Sequence, residues 1–151
     1  MGFVGKKLKV LIADDSVVYR SQLRSAAAML EYVDVVGVAA NGRLAVEKLA
    51  QTSADLLILD LEMPEMNGLQ TLEEIRRLGL QVKVLLFSSQ SKRGAEITMD
   101  ALRAGASDFV TKPGSEGAGS GNLVKVASDP AKRILELIQP KIEALFPSVL
   151  N

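Results

Sequence analysis

Histidine, cysteine and tryptophan are all absent from this chain of 151 residues. The lack of cysteine excludes disulfides, thiolate metal sites and thiol nucleophiles. The lack of histidine excludes a Ser-His-Asp triad within the chain, an imidazole general base and the usual imidazole-ligated zinc or iron sites. Few catalytic chemistries survive both exclusions, and any metal site in the chain is expected to use oxygen ligands.

An excess of one charge and long apolar runs are also missing. Lysine plus arginine equals aspartate plus glutamate at 18 each, so no overall field favours nucleic acid or an anionic membrane as a partner. No apolar run approaches the roughly 18 residues that span a bilayer, and the first residues lack the apolar core of a signal peptide. We therefore expect a cytoplasmic protein that binds neither nucleic acid nor membrane. With 48% hydrophobic residues, a chain of this length is expected to form one globular domain.

Short apolar runs alternate along the chain with longer segments of helical spacing, which predicts alternating strands and helices. The runs are apolar on both faces, which is typical of a parallel sheet covered by helices on both sides. The predicted strands are 9–13, 33–39, 56–60, 82–88 and 107–111.

Four helices are predicted between the strands from apolar residues about one or two turns apart. Ser16 is a typical N-cap residue for the first of them. The dipeptide Asn41-Gly42 indicates a turn, and Gly79 and Gly105 indicate helix ends. The apolar positions assigned to the four helices are Val17, Leu23, Ala27 and Leu30; Leu44, Val46, Leu49 and Ala50; Leu69, Leu72, Ile75 and Leu78; and Ile97, Met99, Ala101 and Leu102.

The pattern changes after Lys112-Pro113, where residues 114–122 are rich in glycine and serine and predict a flexible connector. Asp129-Pro130 is typical of a helix cap followed by proline at the first helical position. A last helix is expected to follow, with a kink or a break at Pro140. Its apolar side is predicted to hold Ile134, Leu135, Ile138, Ile142 and Leu145.

Carboxylates follow two of the predicted strands. Asp14 and Asp15 come directly after the first strand, and Asp60 closes the third. In an open parallel sheet, ligands bind beyond the carboxyl ends of the strands where the strand order reverses, so these residues are expected to share one crevice. Such a dense negative site is costly unless a cation or bound protons neutralise it. Mg²⁺, which prefers oxygen ligands and keeps several waters, is the simplest cation for it.

The fourth and fifth strands end on groups that can bind phosphoryl oxygens. Ser88 ends the fourth with a hydroxyl, and Lys112 follows the fifth with an ammonium. Each residue alone has an ordinary interpretation, as a helix cap, a turn residue or a solvated charge. Together with the carboxylates they mark the ends of four strands of one sheet, which favours a phosphate site. The glycine-rich segment lacks the sequence of a phosphate-binding loop.

These residues, taken in order, resemble the receiver domains of two-component response regulators over residues 9–113. The resemblance rests on the acidic pair, on Asp-x-x-Met-Pro-x-x-Asn-Gly after the third strand, on the serine and on Lys-Pro. It implies a flavodoxin-like (βα)5 fold, a doubly wound parallel α/β sheet with strand order 2-1-3-4-5. It also implies that Asp60 accepts a phosphoryl group from a histidine kinase in a Mg²⁺-dependent step.

The resemblance further implies a role for each neighbour of Asp60. Asp15 and Asp60 bind Mg²⁺ through carboxylates, and Asp14 does so directly or through water. Glu62 offers its backbone carbonyl to the same ion.

Three more residues are implied to act after phosphoryl transfer. Ser88 and Lys112 contact the phosphoryl oxygens. Phe109 takes the place of the receiver switch aromatic residue, which turns inward as Ser88 moves toward the phosphoryl group. The result is a two-state switch of a protein-interaction surface, biased by a local change in charge.

Within this family, the chain is most similar to the regulatory domain of the chemotaxis protein-glutamate methylesterase. The similarity lies in segments 59–64, 87–89, 93–96 and 106–113. The methylesterase domain is missing, and without histidine its triad cannot lie here. The chain is then either an excised regulatory domain or a stand-alone receiver, and its end after Phe146-Pro147 favours excision. The expected organisation is an N-terminal extension 1–8, a receiver domain 9–146 and a tail 147–151, with a downstream effector or an attached methylesterase domain as partner.

Two other functions stay open. A phosphatase or phosphotransferase of the haloacid-dehalogenase kind would also use Asp60 as a covalent nucleophile, with Glu62 as a general acid two residues later. A degenerate receiver would act as a constitutive binding scaffold, although the intact site residues argue against it. No turnover is expected from this chain alone beyond phosphorylation and dephosphorylation of Asp60.

Overall fold

A computed structural model describes residues 5–63, 65–113 and 129–150 of the chain. Within these residues, five strands and five α-helices alternate, and a short 3-10 helix at Pro147–Leu150 follows the last α-helix. The elements are β1 (Leu8–Ala13), α1 (Val17–Ala28), β2 (Val33–Ala39), α2 (Gly42–Thr52), β3 (Leu56–Asp60), α3 (Gly68–Arg77), β4 (Lys83–Ser88), α4 (Lys92–Arg103), β5 (Asp108–Thr111) and α5 (Pro130–Leu145).

The five strands form one parallel sheet in the order β2-β1-β3-β4-β5. This is the flavodoxin-like arrangement, so the predicted fold and strand order are confirmed. The strand order reverses between β1 and β3, where Ala13 is paired with Leu59. Because the next residues are Asp14 and Asp60, the register alone brings these two carboxylates side by side at the carboxyl edge.

Helices cover both faces of the sheet, and each face has its own core. On one face, Val10 and Ile12 of β1 pack with residues of α1 and α5, such as Leu23 and Ile138. On the other face, the intervening Leu11 joins apolar residues of α2, α3 and α4. Alternate residues of a strand point to opposite faces, so a strand buried on both sides has to be apolar throughout. The central strand β3 is buried at all five positions, and its first four residues are leucine or isoleucine. The exception is Asp60, the last residue, which closes the strand at the carboxyl edge of the sheet.

Most predicted helix boundaries match the structure. The Ser16 hydroxyl accepts a hydrogen bond from the backbone N–H of Tyr19 and caps α1. Asp129 caps α5, and Pro130 is its first residue, where the missing N–H costs no helical hydrogen bond. Gly79 and Gly105 follow α3 and α4 with φ of 68° and 114°, a backbone conformation that other residues rarely adopt.

The structure corrects the prediction of a turn at Asn41-Gly42. Asn41 is the N-cap of α2, with its side chain accepting from the backbone N–H of Leu44, and Gly42 is the first helical residue. A Cβ at Gly42 would lie 2.1 Å from Thr71 Oγ1 and 2.5 Å from the carbonyl oxygen of Met66. The glycine is therefore present for close packing of α2 against α3.

The apolar faces of the helices are predicted only in part. Val17, Leu78 and Met99 are predicted on apolar faces, but they are 69%, 45% and 50% exposed. The last helix is not broken at Pro140, because α5 is continuous from Pro130 to Leu145. Three strands begin one residue away from the prediction, at Leu8, Lys83 and Asp108. The predicted connector 114–122 lies outside the described residues.

Candidate functional site

Three carboxylates meet at the carboxyl edge of the sheet, as predicted. Asp14, Asp15 and Asp60 each place one carboxylate oxygen within 4.8 Å of the others, and Asp15 is the exposed member. Asp14 and Asp60 are buried, with 0% and 2% of their surfaces exposed. Two buried carboxylates at this separation repel each other, so the arrangement requires a positive charge or a proton nearby.

Lys112 supplies one positive charge. Its Nζ lies 3.2 Å from Asp60 Oδ1 and 3.6 Å from Asp14 Oδ2. The backbone positions the lysine, because its N–H donates to the carbonyl of Ser88 over 2.7 Å and extends the pairing of β5 with β4. The ends of β1, β3, β4 and β5 therefore lie along one edge of the sheet, as the sequence predicts, and the Lys112 side chain reaches from β5 to Asp60 and Asp14.

The surroundings change the pKa of all three charged groups. Burial raises the pKa of Asp60 to about 7, and the negative charge of Asp14 adds to the effect. Burial also raises the pKa of Asp14. For Lys112, burial alone would lower the pKa, but the charges of Asp60 and Asp14 outweigh burial and raise it. Lys112 is thus held as a cation, whereas the carboxylates resist full ionisation.

The hydrogen bonds of the two buried carboxylates leave one oxygen of each without a donor. Asp14 Oδ1 accepts from the backbone N–H of Ser16 over 2.8 Å, and Asp60 Oδ1 accepts from the backbone N–H of Glu62 over 3.1 Å. Asp14 Oδ2 and Asp60 Oδ2 are buried and lack a hydrogen-bond partner. Lys112 approaches Asp14 Oδ2 only to 3.6 Å, which is an ion pair and too long for a hydrogen bond.

The unpartnered oxygens fit a divalent cation. A buried carboxylate oxygen without a donor costs free energy unless a ligand binds it. The donors at this edge are all oxygens, which suits a hard cation such as Mg²⁺ or Ca²⁺. The site could therefore hold a metal ion between the three carboxylates.

Ser88 and Glu62 lie at the same edge but face different neighbours. Ser88 ends β4 with 3% of its surface exposed, and it borders a cavity of about 340 Å³ that Phe109 also lines. The Glu62 side chain points away from the carboxylates, since its Oε1 accepts a hydrogen bond from Ser89 Oγ over 2.9 Å. The Ser89 hydroxyl is also 3.0 Å from that of Ser91, the N-cap of α4.

Phe109 is not part of the carboxylate cluster. It lies in β5 with 39% of its surface exposed, and Lys141 Nζ of α5 is 5.7 Å from its ring centre. A cation at this distance is attracted to the ring face. In this structure the aromatic ring is therefore partly exposed beside Lys141, while it also lines the cavity that Ser88 borders.

Sequence reasoning missed two residues that contact the site. Arg20 donates from Nη1 to the backbone carbonyl of Asp14 over 2.8 Å. Tyr19 contacts both Lys112 and Pro113, although 94 positions separate Tyr19 from Pro113. The helix cap at Ser16 predicts the turn that leads into α1, but no local sequence pattern predicts a contact between residues so far apart in the chain.

Comparison with known proteins agrees with the fold. The family described as the response regulator receiver domain matches residues 10–119. Protein-glutamate methylesterase/protein-glutamine glutaminase of Trichodesmium erythraeum is 45% identical over 112 residues, which cover 74% of this chain and 32% of that protein. The protein of the same name from Nocardioides is 39% identical over 140 residues, covering 93% of this chain and 36% of the relative. This chain thus spans about a third of the length of these relatives.

Solved structures give the same picture. The response regulator domain of Thermotoga maritima CheB is 31% identical with a TM-score of 0.67, covering 87% of this chain and 98% of that domain. A chain of the Borrelia burgdorferi complex described as CheX-CheY-BeF3-Mg²⁺ is 28% identical with a TM-score of 0.65. That match covers 83% of this chain and 92% of the matched chain.

The fold and the site define a flavodoxin-like α/β domain with an acidic, oxygen-only site at its topological switch point. The chain belongs to the family of response regulator receiver domains. Its similarity to methylesterase regulatory domains supports a chemotaxis-type receiver. The family match does not support the alternative of a haloacid-dehalogenase-like phosphatase. No helix in the described ranges is long and apolar enough to cross a membrane.

Proposed function

We propose that Asp60 is the phosphoacceptor of a two-component signalling pathway of the chemotaxis type. The step begins when a carboxylate oxygen of Asp60 attacks the phosphorus atom of a phosphohistidine on a partner kinase. An O–P bond forms, the N–P bond breaks, and its electron pair stays on the imidazole nitrogen. The product is an acyl phosphate on Asp60. The observation that carries this proposal is the buried Asp60 carboxylate, with Lys112 Nζ at 3.2 Å and one oxygen lacking a donor.

Lys112 and Ser88 are proposed to bind the transferred group. An acyl phosphate keeps about 1.5 to 2 negative charges at neutral pH, by analogy with other phosphorylated side chains. The Lys112 ammonium already faces the carboxylate that accepts this charge, so little rearrangement is needed. The Ser88 hydroxyl is on the neighbouring strand and can donate to a phosphoryl oxygen after a side-chain rotation.

Mg²⁺ is proposed as the cation of the site. Asp15 and Asp60 would hold it through carboxylates, Asp14 directly or through water, and Glu62 through its backbone carbonyl. When bound, the ion supplies positive charge to the carboxylates and to the phosphoryl oxygens. Support comes from the two unpartnered carboxylate oxygens and from the Borrelia neighbour, whose complex contains Mg²⁺ and BeF3.

The output is proposed to be a change of surface around Phe109. Ser88 and Phe109 line one cavity of about 340 Å³, so movement of Ser88 toward a phosphoryl group opens room for the ring. The receiver is taken as residues 9–146, with an extension 1–8 and a tail 147–151. Its partner would be a separate effector or an attached methylesterase domain, as in the relatives. We assign the exchange to the cytoplasm, where ATP-dependent kinases act, and assign no further turnover to this chain.

Intact-protein mass spectrometry after incubation with acetyl phosphate and Mg²⁺ tests the assignment. We expect a single phosphoryl adduct on the wild-type chain and none on Asp60→Asn. Asp55→Asn is the matched control, because Asp55 accepts from the backbone N–H of Lys9 before β3, at the opposite edge of the sheet. An adduct that persists in Asp60→Asn would refute Asp60 as the acceptor. Continuous release of phosphate would instead indicate a phosphatase.

A further inference from the structure

Tyr19 makes three contacts around Lys112 that the family resemblance does not explain. The Lys112 Nζ lies 4.7 Å from the centre of the Tyr19 ring. The Tyr19 hydroxyl donates to the backbone carbonyl of Pro113 over 2.9 Å. The same ring packs edge-to-face on Phe87, with ring centres 6.0 Å apart and an angle of 78°. One side chain thus touches the lysine, the peptide that follows it and an aromatic residue of β4.

The position of Tyr19 is fixed by the same turn that presents the carboxylates. Its backbone N–H donates to Ser16 Oγ, so Tyr19 belongs to the capped first turn of α1, directly after Asp14 and Asp15. Phe87, which supports the ring, has no exposed surface. The ring therefore has little freedom to move.

Lys112 needs such a support because its side chain is flexible. Lysine has a four-carbon stem and a compact, strongly hydrated charge, which carboxylates alone hold without a defined direction. The negative face of an aromatic ring attracts an ammonium and adds a second fixed neighbour. Asp60 and Asp14 lie 3.2 and 3.6 Å from the Lys112 ammonium. Of its two aromatic neighbours, the Tyr19 ring is the nearer at 4.7 Å, and the ring of Phe87 is 6.0 Å away.

We propose that Tyr19 is a positioning residue that holds the Lys112 ammonium at the place where phosphoryl oxygens arrive. This inference rests on the proposed phosphorylation of Asp60. During transfer, the ammonium has to keep contact with the acceptor while charge builds up on the phosphoryl group. The ring keeps the ammonium near the carboxylates, and the hydroxyl fixes the Pro113 carbonyl, so the lysine cannot swing away.

The chain contains only two tyrosines, which provides a matched control. The Tyr32 hydroxyl donates to Glu143 Oε2 over 2.8 Å. Tyr32 immediately precedes β2 and so lies at the end of the sheet opposite to the carboxylates. Replacing either tyrosine by leucine removes a ring and a hydroxyl hydrogen bond, but only the change at Tyr19 affects Lys112.

The test compares rates of adduct formation from acetyl phosphate at saturating Mg²⁺. Tyr19→Leu is expected to lower the rate roughly three- to tenfold, equivalent to about 0.7 to 1.4 kcal/mol. Tyr19→Phe keeps the ring and is expected to restore at least half of the rate. Mg²⁺ affinity is expected to change less than twofold in both variants, because Tyr19 touches no carboxylate. Tyr32→Leu is expected to leave the rate within a factor of two.

The decisive measurement repeats Tyr19→Leu in a Lys112→Met background. If Tyr19 acts through Lys112, leucine has no further effect there. The same fold loss in both backgrounds would overturn the proposal, as would equal losses in Tyr19→Leu and Tyr32→Leu. A wild-type chain that takes up no phosphoryl group would contradict the proposed function, and the test of Tyr19 then passes to NMR. The Tyr19 ring should shift the Lys112 ε-methylene signal upfield in the wild type and in Tyr19→Phe. The shift should be smaller in Tyr19→Leu, where only Phe87 remains beside the lysine, or in Tyr19→Met if leucine unfolds the chain. A wild-type signal with the same shift as Tyr19→Leu would refute the contact.

Discussion

Replacing Asp60 by asparagine should make the metal-free chain more stable at neutral pH. An unfolded chain ionises this carboxyl group near pH 3.8, whereas burial and the charge of Asp14 raise its pKa to about 7 in the folded chain. Between these values the folded chain keeps a proton that the unfolded chain has released. Stability therefore falls as pH rises through this window, and the loss is complete above the folded pKa.

The size of the effect follows from the shift in pKa. A difference of about three pKa units at 1.36 kcal/mol each corresponds to about 4 kcal/mol as an upper limit. Asparagine cannot ionise, so it removes this cost of a buried charge. It introduces a different cost of about 1 to 3 kcal/mol, because its amide N–H groups stand where the carboxylate had an acceptor oxygen. We therefore expect a net gain of roughly 2 kcal/mol above neutral pH, and a loss below about pH 3, where the carboxyl is mostly protonated in both states.

Urea unfolding monitored by far-ultraviolet circular dichroism measures this, because the chain has no tryptophan for fluorescence. The wild type and Asp60→Asn are compared in the presence of a chelator from about pH 3 to about pH 8. Asp15→Asn removes an exposed carboxylate from the same cluster and serves as the control. Equal pH dependence of wild type and Asp60→Asn would refute the argument. Added Mg²⁺ should stabilise the wild type more than Asp60→Asn, since a ligand that binds only the folded state shifts unfolding by mass action.

Three further outcomes are expected. Lys112→Met should lower the free energy of unfolding of the metal-free chain at neutral pH by roughly 2 to 4 kcal/mol, because two buried carboxylates lose their counter-charge. The loss should shrink in acid, and a loss in urea unfolding that does not depend on pH would contradict this. Gly42→Ala should cost roughly 1 to 3 kcal/mol, because its Cβ would meet Thr71 Oγ1 at 2.1 Å, whereas Gly37→Ala, with its nearest neighbour at 3.2 Å, should cost less. Mg²⁺ affinity, measured by calorimetry, should differ between the unphosphorylated and phosphorylated forms, since phosphorylation adds about 1.5 to 2 negative charges beside the ion. Equal affinities would show that the metal ion and the phosphoryl group do not interact.

The strand-end residues show why most of the site was predictable. Parallel strands align their carboxyl ends, so Asp14, Asp60, Ser88 and Lys112 could be placed together from the apolar runs that precede them. The runs also determine the number of strands, and their apolar character on both faces predicts the helical layers. The strand order came from the family resemblance and the structure confirms it.

What could not be predicted depends on packing between distant segments. The sequence pattern at Val17 and Met99 shows apolar residues in a helix but not which way each one faces. Asn41-Gly42 is suited equally to a turn and to a helix cap, and the close approach of Thr71 decides between them. The contact of Tyr19 with Lys112 joins the first helix to the last strand, and no local pattern records it.

The order of the site residues along the chain has a consequence for synthesis. Asp14 and Asp60 are made well before Lys112, which follows the edge strand β5. A growing or incompletely folded chain therefore exposes its acidic groups to water without the cation that completes the site. Under the proposed function, the complete phosphoryl site forms only after β5 has docked on β4, so an incompletely folded copy lacks the cation that would hold the transferred group.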